Sequence, residues 1–245
     1  MKAAGLASTS AVFDRFSPNA DDRPSGCPVD SLVLHYTGMA TGEAALQRLC
    51  DAEAKVSAHY LIDEDGSTHR LVDERWRAWH AGVSCWQGRE RLNDCSIGIE
   101  IVNPGHEWGY RPFTEAQYRT LEKLLPDIMK RWRISPLRVL AHSDIAPDRK
   151  EDPGELFDWH RLAKAGIGVW PKDGEGAPRP LAKVQAQLSS LGYLTPTHGE
   201  LDQVTKAVIV AFQRHFRPER VDGLVDGQTL ARLDGLLAIV VGNID

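Results

Sequence analysis

The sequence predicts an α/β domain followed by a small three-helix domain, and three observations carry that expectation. Short apolar runs with strand character alternate with helical patterns through the first part of the chain, which is the mark of a layered sheet-and-helix architecture. The stretch PKDGEGAPRP, beginning at Pro171, concentrates proline, glycine and charge and changes the texture. Beyond it, three segments carry helical spacing and none reads as a strand.

Taken in chain order, DDRPSGCP at 21–28 is turn-rich and leads into SLVLH at 31–35, which predicts a buried strand ending on a histidine. EAALQRLCDAEA at 43–54 combines helix formers with near-helical apolar spacing. VSAHYLI at 56–62, the turn DEDG at 63–66 and THRLV at 68–72 together predict a hairpin. SIGIEIVN at 96–103 predicts another central strand, 115–132 a long amphipathic helix, and LRVLAH at 137–142 a third buried strand. After the break, residues 181–191, 203–216 and 228–237 predict three helices separated by short turns. The expected division is therefore a domain at 1–170, a linker at 171–180 and a helical domain at 181–245. A unit of about 60 residues stands near the lower limit for an independently stable core.

Composition narrows the function classes. The chain has 245 residues, 42% hydrophobic and 26% charged, as soluble globular proteins do. No apolar run approaches the roughly 20 residues that span a bilayer, so membrane insertion is not expected. A formal charge of -5 argues against a general electrostatic grip on nucleic acid. The opening MKAAGLASTSAVFDRF lacks the apolar core of a secretory signal, which points to the cytoplasm. Cys27, Cys50, Cys85 and Cys95 show no paired C-x-x-C spacing and predict free thiols. The sequence assigns no oligomeric state.

The chemistry gathers on the predicted central strands. His35 closes the first, Glu100 lies inside the second and His142 closes the third, which would bring them to one edge of a sheet. Asp152 follows ten residues after His142 in AHSDIAPDRKEDPG, where Pro147 and Pro153 stiffen the loop that returns it. Two neutral imidazoles and one carboxylate make a three-ligand zinc site with the fourth position open to water, the pattern of hydrolysis. Attack on an amide also needs a proton shuttle and a donor for the developing oxyanion. Glu100, in an apolar strand that should raise its pKa, suits the first role, and Lys150 suits the second. Taken singly, each residue has a plainer reading. A strand-end histidine is usually structural, an acid in an apolar strand often pairs with a base, and a loop lysine is usually solvated. Asp144, Asp148, Arg149 and Glu151 are read as solvated or structural charges.

The match then becomes specific. LVLHYTG, VSAHYLIDEDG, RAWHAGVSCWQGRERLNDCSIGIEIVNPG and HSDIAPDRKEDPGELFDW occur in this order. Together they resemble the amidase-2 type N-acetylmuramoyl-L-alanine amidases, bacterial zinc enzymes of peptidoglycan turnover and muropeptide recycling. The resemblance implies a mixed central sheet flanked by helices, zinc held by His35, His142 and Asp152, and Glu100 with Lys150 as the catalytic pair. It implies hydrolysis of the amide between N-acetylmuramic acid and the L-alanine of the stem peptide. Arg91, nine residues before Glu100, falls where such enzymes can place a cation near a stem-peptide carboxylate. His59 and His80 also belong to family motifs, and an open fourth metal position leaves them structural or substrate-groove roles, with His80 taken as substrate-binding. Ala58 stands where phage relatives carry tyrosine, which would leave oxyanion stabilisation to Glu100 and Lys150.

The C-terminal segments VQAQLSSLGYL, DQVTKAVIVAFQRHF and DGLVDGQTLARL resemble a three-helix peptidoglycan-binding domain. Such a module raises the effective concentration of polymeric glycan near a tethered active site. The expected partner is peptidoglycan or a muropeptide. The missing leader favours recycled anhydro-muropeptides in the cytoplasm, whereas the binding module favours the wall and a periplasmic or outer-membrane setting. A non-catalytic muropeptide receptor on the same fold is the competing reading, but a receptor need not keep the complete ligand and acid set.

Overall fold

The computed structural model describes residues 11–242, so the first ten residues of the stretch read for an export signal lie outside the described residues. The chain runs β1 (Val12–Asp14), β2 (Ala20–Asp21), β3 (Ser31–Tyr36), α1 (Gly42–Cys50), β4 (Tyr60–Ile62) and β5 (Thr68–Arg70). Three short strands follow, β6 (Arg77–Ala78), β7 (Cys85–Trp86) and β8 (Arg89–Glu90), and then β9 (Ser96–Ile101), α2 (Gly105–Trp108) and α3 (Glu115–Trp132). The remaining elements are β10 (Val139–Ala141), α4 (His142–Ile145), α5 (Trp159–Lys164), α6 (Leu181–Leu191), α7 (Gln203–Phe216) and α8 (Gly227–Gly242).

Six strands form one sheet in the order β1-β5-β4-β9-β3-β10. Its pairs are parallel except β4–β5, the hairpin closed by DEDG, so the sheet is mixed as expected. Alternation along the strands decides what lies on each face. Leu32, Leu34, Ile97, Ile99 and Ile101 point to one side and pack against Tyr118, Leu121, Leu125 and Ile128 of α3. That helix begins at a capping box, in which Thr114 accepts from the Gln117 backbone and Gln117 reaches back to Thr114. The intervening residues Val33, His35, Gly98 and Glu100 therefore point to the other side. There α1 buries Ala45, Leu46 and Leu49 against Leu61 and Val102.

The same face carries the C-terminal helices. Val33, Leu140 and Ile145 share one hydrophobic cluster with Val184, Leu188, Tyr193, Val208, Phe212 and Leu233. Helices α6 to α8 are thus packed onto the sheet-bearing part through a common core.

Several boundaries differ from the sequence expectation for local reasons. The helix expected over 43–54 stops at Cys50, because Asp51 is extended and its side chain caps a separate short turn, Ala52–Ala54. The strand expected from residue 56 pairs only from Tyr60, since Lys55 is left-handed and Ser57 bonds sideways to Asn19 and Trp79. LRVLAH contributes only Val139–Ala141 to the sheet, and His142 opens a helix rather than closing the strand. The last helix runs on to Gly242, beyond the expected 237. All four cysteines are free, as their spacing predicted. Among the described residues, no helix is long and apolar enough to cross a membrane.

Candidate active site

Registration of β3 against β9 places His35 directly opposite Glu100. Strand β10 lies on the other side of β3 and delivers His142 at the first turn of α4. The loop after α4 returns Asp152, with the Ser143 amide donating to the Asp152 carbonyl at 3.0 Å. Sequence reasoning sends these groups to one edge of the sheet. The structure instead gathers them on one face near the strand ends, because period-two alternation fixes the side to which His35 and Glu100 point.

Three atoms converge there. His35 Nδ1 and His142 Nδ1 are 2.9 Å apart, and Asp152 Oδ2 lies 2.9 Å from the first and 3.0 Å from the second. All three side chains are buried. The surrounding hydrogen bonds assign the tautomers. His142 Nε2 faces the Ala81 carbonyl at 3.1 Å and must donate, which leaves Nδ1 with its lone pair. Ser96 donates its hydroxyl to the Leu92 carbonyl, so its oxygen receives the His80 Nε2 proton across 3.2 Å. His80 Nδ1 is then the acceptor for His35 Nε2 at 3.1 Å, and His35 Nδ1 also keeps its lone pair. Three acceptors therefore face one point with no proton between them. A cation relieves that arrangement, and the donor set of two nitrogens and one carboxylate oxygen suits zinc. Tetrahedral bonds of about 2.0–2.1 Å would separate such ligands by roughly 3.3 Å, close to the triangle observed.

The electrostatics agree with a neutral His35 and an ionised Asp152. Burial first, and the neighbouring His142 second, push the His35 pKa down to about 4 against the opposing pull of Asp152. Burial alone would raise the Asp152 carboxyl, but His142 and His35 outweigh it and hold the group well below the usual carboxylate range. Glu100 moves the other way. Burial first, and the negative charge of Asp152 second, raise its carboxyl far above the usual value, with Lys150 opposing. Its Oε2 has no hydrogen-bond partner.

His35, His80, Glu100, His142, Lys150 and Asp152 all line one cavity of about 480 Å³. The structure thus brings together six of the seven residues singled out from the sequence. Arg91 is the exception. It is left-handed (φ 59°) at the head of a short turn, its side chain is 70% exposed beside Asp94 at 3.6 Å, and it borders a different groove with Val83, Pro147 and Leu194. His80 is placed behind His35, where its ring hydrogen-bonds the candidate ligand. His59 is structural: its Nδ1 accepts from the Gly98 amide at 2.9 Å, tying β4 to β9, and burial pushes its pKa down to about 3.

Other participants were missed. Tyr36, Arg48, His106 and Arg149 also line the cavity. Tyr36 follows a candidate ligand directly, a signal that was present in the sequence. Arg149, read as a solvated or structural charge, is exposed but held by the Ala81 and Val83 carbonyls. Gly98 is required by close approach: a Cβ there would meet the His80 ring at 2.4 Å.

Comparison with known proteins bears on the family to which the chain belongs. Residues 25–155 match the N-acetylmuramoyl-L-alanine amidase family model, and residues 180–233 match a peptidoglycan binding domain model. The N-acetylmuramoyl-L-alanine amidase AmiD of Escherichia coli K12 is 40% identical over 229 residues, covering 84% of this chain and 81% of its own length. The solved complex of AmiD from E. coli with anhydro-N-acetylmuramic acid-L-Ala-D-γ-Glu-L-Lys superposes with a TM-score of 0.77 at 37% identity, covering 92% of this chain and 93% of that one. AmpDh3 of Pseudomonas aeruginosa in complex with anhydromuramic pentapeptide superposes with a TM-score of 0.79 at 33% identity, covering 98% of this chain and 99% of that one. With the family model matched across more than half of its length and these relatives along nearly all of it, the chain belongs to the N-acetylmuramoyl-L-alanine amidase family.

Proposed function

We propose that this chain is a zinc-dependent amidase that hydrolyses the amide between N-acetylmuramic or anhydro-muramic acid and the L-alanine of the stem peptide. One observation carries the reading: the two imidazole lone pairs and the Asp152 carboxylate face each other with no proton between them, in a cavity that also holds Glu100, whose buried Oε2 has no hydrogen-bond partner. Residues 1–170 would carry the hydrolytic centre, 171–180 the connection, and 181–245 the glycan-binding surface.

His35, His142 and Asp152 would hold the zinc, which when bound supplies Lewis acidity and makes water nucleophilic near neutral pH. His80 keeps His35 in the tautomer that presents Nδ1, and the Ala81 carbonyl does the same for His142. Glu100, with its raised proton affinity, takes the proton released as water attacks the carbonyl carbon and delivers it to the alanine nitrogen as the C–N bond breaks. The products are a free muramic carboxylate and a free stem-peptide amine. Lys150 supplies positive charge to the carbonyl oxygen as it becomes negative. Arg91 takes no part in this reading, because it lies outside the cavity.

Both solved complexes contain anhydro-muramic peptides, which supports a substrate of that class. The test is release of free stem peptide from a purified anhydro-muropeptide by the full chain, with intact sacculi assayed in parallel. Chelation should abolish release and zinc should restore it. Undiminished cleavage by metal-free protein would end the zinc mechanism, and tight binding without release would favour the receptor reading.

A further inference from the structure

The loop that carries His142, Lys150 and Asp152 is held at both ends by adjacent residues of the C-terminal helix α7. At its start, Asp144 is only 1% exposed and caps α4, accepting from the Ala141 amide at 2.8 Å. The same carboxylate accepts from Tyr193 Oη at 2.6 Å and from His215 Nδ1 at 2.6 Å. His215 is itself fixed between Trp159 and Phe216, with ring centroids 3.8 and 3.9 Å away. At the loop's far end, the neighbouring Arg214 donates to Glu151 at 2.6 Å and lies 3.6 Å from Glu155. Glu151 and Glu155 flank the segment Asp152-Pro153-Gly154.

These contacts do more than glue two surfaces together. Asp144 stands two residues after His142 on the same short helix, so the groups that fix its carboxylate also fix the axis along which His142 projects. Arg214 constrains the residue immediately before Asp152. The bond from the Ser143 amide to the Asp152 carbonyl joins the two clamped ends.

We infer that Tyr193, Arg214 and His215 are positioning residues for the amidase reaction, with α7 holding the candidate ligands His142 and Asp152 in place through Asp144, Glu151 and Glu155. The helical unit thereby acts on every substrate, including fragments too small to engage a glycan-binding surface. This inference rests on reading His142 and Asp152 as metal ligands.

The experiment uses the full chain carrying Tyr193→Phe, His215→Gln, both together, or Arg214→Gln. Arg179→Gln serves as a control, because Arg179 of the linker segment pairs with Asp234 of α8, away from the loop that carries the candidate ligands. Zinc affinity is read by chelator competition, kcat and KM on a soluble anhydro-muropeptide, and binding to sacculi by sedimentation. The double variant should bind zinc about 10-fold more weakly or worse, the scale of lost outer-shell support, and lower kcat while KM and sacculus binding hold. Tyr193→Phe removes one hydroxyl and should show a smaller loss in the same direction even if the double variant fails to fold. Arg214→Gln should lose least, since Glu151 stays 46% exposed to water, and Arg214→Lys should recover part of that loss. Arg179→Gln should leave zinc affinity unchanged. Wild-type zinc affinity and kcat in Tyr193→Phe and in the double variant would overturn the inference alone. Absence of zinc binding by the wild-type chain would overturn the ligand reading, and this inference with it.

Discussion

Gly98→Ala tests the support behind His35 with a single methyl group. The added carbon would lie 2.4 Å from His80 Cγ and 2.6 Å from both Cδ2 and Nδ1, more than about 1 Å inside an ordinary carbon contact. Retreat of the ring would break the hydrogen bonds that hold it. The ring is buried, its nitrogens are engaged by His35 and Ser96, and the His59 ring stands 5.7 Å away edge-on. Either His80 or β9 must shift, and overpacking of this kind costs about 1–3 kcal/mol. At about 2–4 °C per kcal/mol for a chain of this size, Tm should fall by roughly 2–12 °C. A displaced His80 also frees His35 Nε2, so zinc affinity should drop about 10- to 100-fold. Calorimetry and chelator competition measure the two effects separately. Adding His80→Ala to Gly98→Ala should recover stability by making room, yet leave zinc binding weak, because the hydrogen bond to His35 is still missing. A Gly98→Ala protein with wild-type Tm and zinc affinity would refute the argument.

Three further expectations follow from the same contacts. Glu100→Ala should keep zinc and lose turnover by about 100-fold or more, as removal of a proton shuttle does; an active variant would refute its role, with metal content and stem-peptide release as the readouts. Glu74 is buried and accepts from Tyr60, Arg131 and Trp132 at 2.5–2.7 Å, so Glu74→Ala should cost about 2 kcal/mol in urea unfolding while zinc affinity stays fixed. Removing residues 181–245 would bare Val33, Trp86, Leu140 and Ile145, and the shortened chain should aggregate or melt well below the full one even when zinc is supplied; a monomer with unchanged Tm would contradict the shared core.

The candidate ligands were legible because their chemistry is local. SLVLH and SIGIE each end an apolar run on one ionisable group, and burial makes such a group expensive unless it has a task. Period-two alternation then puts His35 and Glu100 on the same side once their strands pair in register. Arg91 shows where that reasoning stops. The resemblance suggested a cation near the stem peptide, whereas the structure sets Arg91 beside a different groove, with Val83, Pro147 and Leu194. The short strands β1, β2, β6, β7 and β8 were equally unreadable, since two or three residues carry no periodicity and their pairings join distant segments such as Val12 with Thr68.

Residue types and their order determined the α/β class, the long helices, the hairpin and the two-histidine, one-carboxylate set, because each follows from hydrophobic period, turn chemistry or ligand identity. Packing alone decided the rest. Asp144 reads in the chain as one acid among several, and only the fold brings it Tyr193 and His215 from 49 and 71 residues away. Likewise, a linker composition says that a segment can be flexible, while the apolar surface buried on both sides of it settles that the two parts share one core.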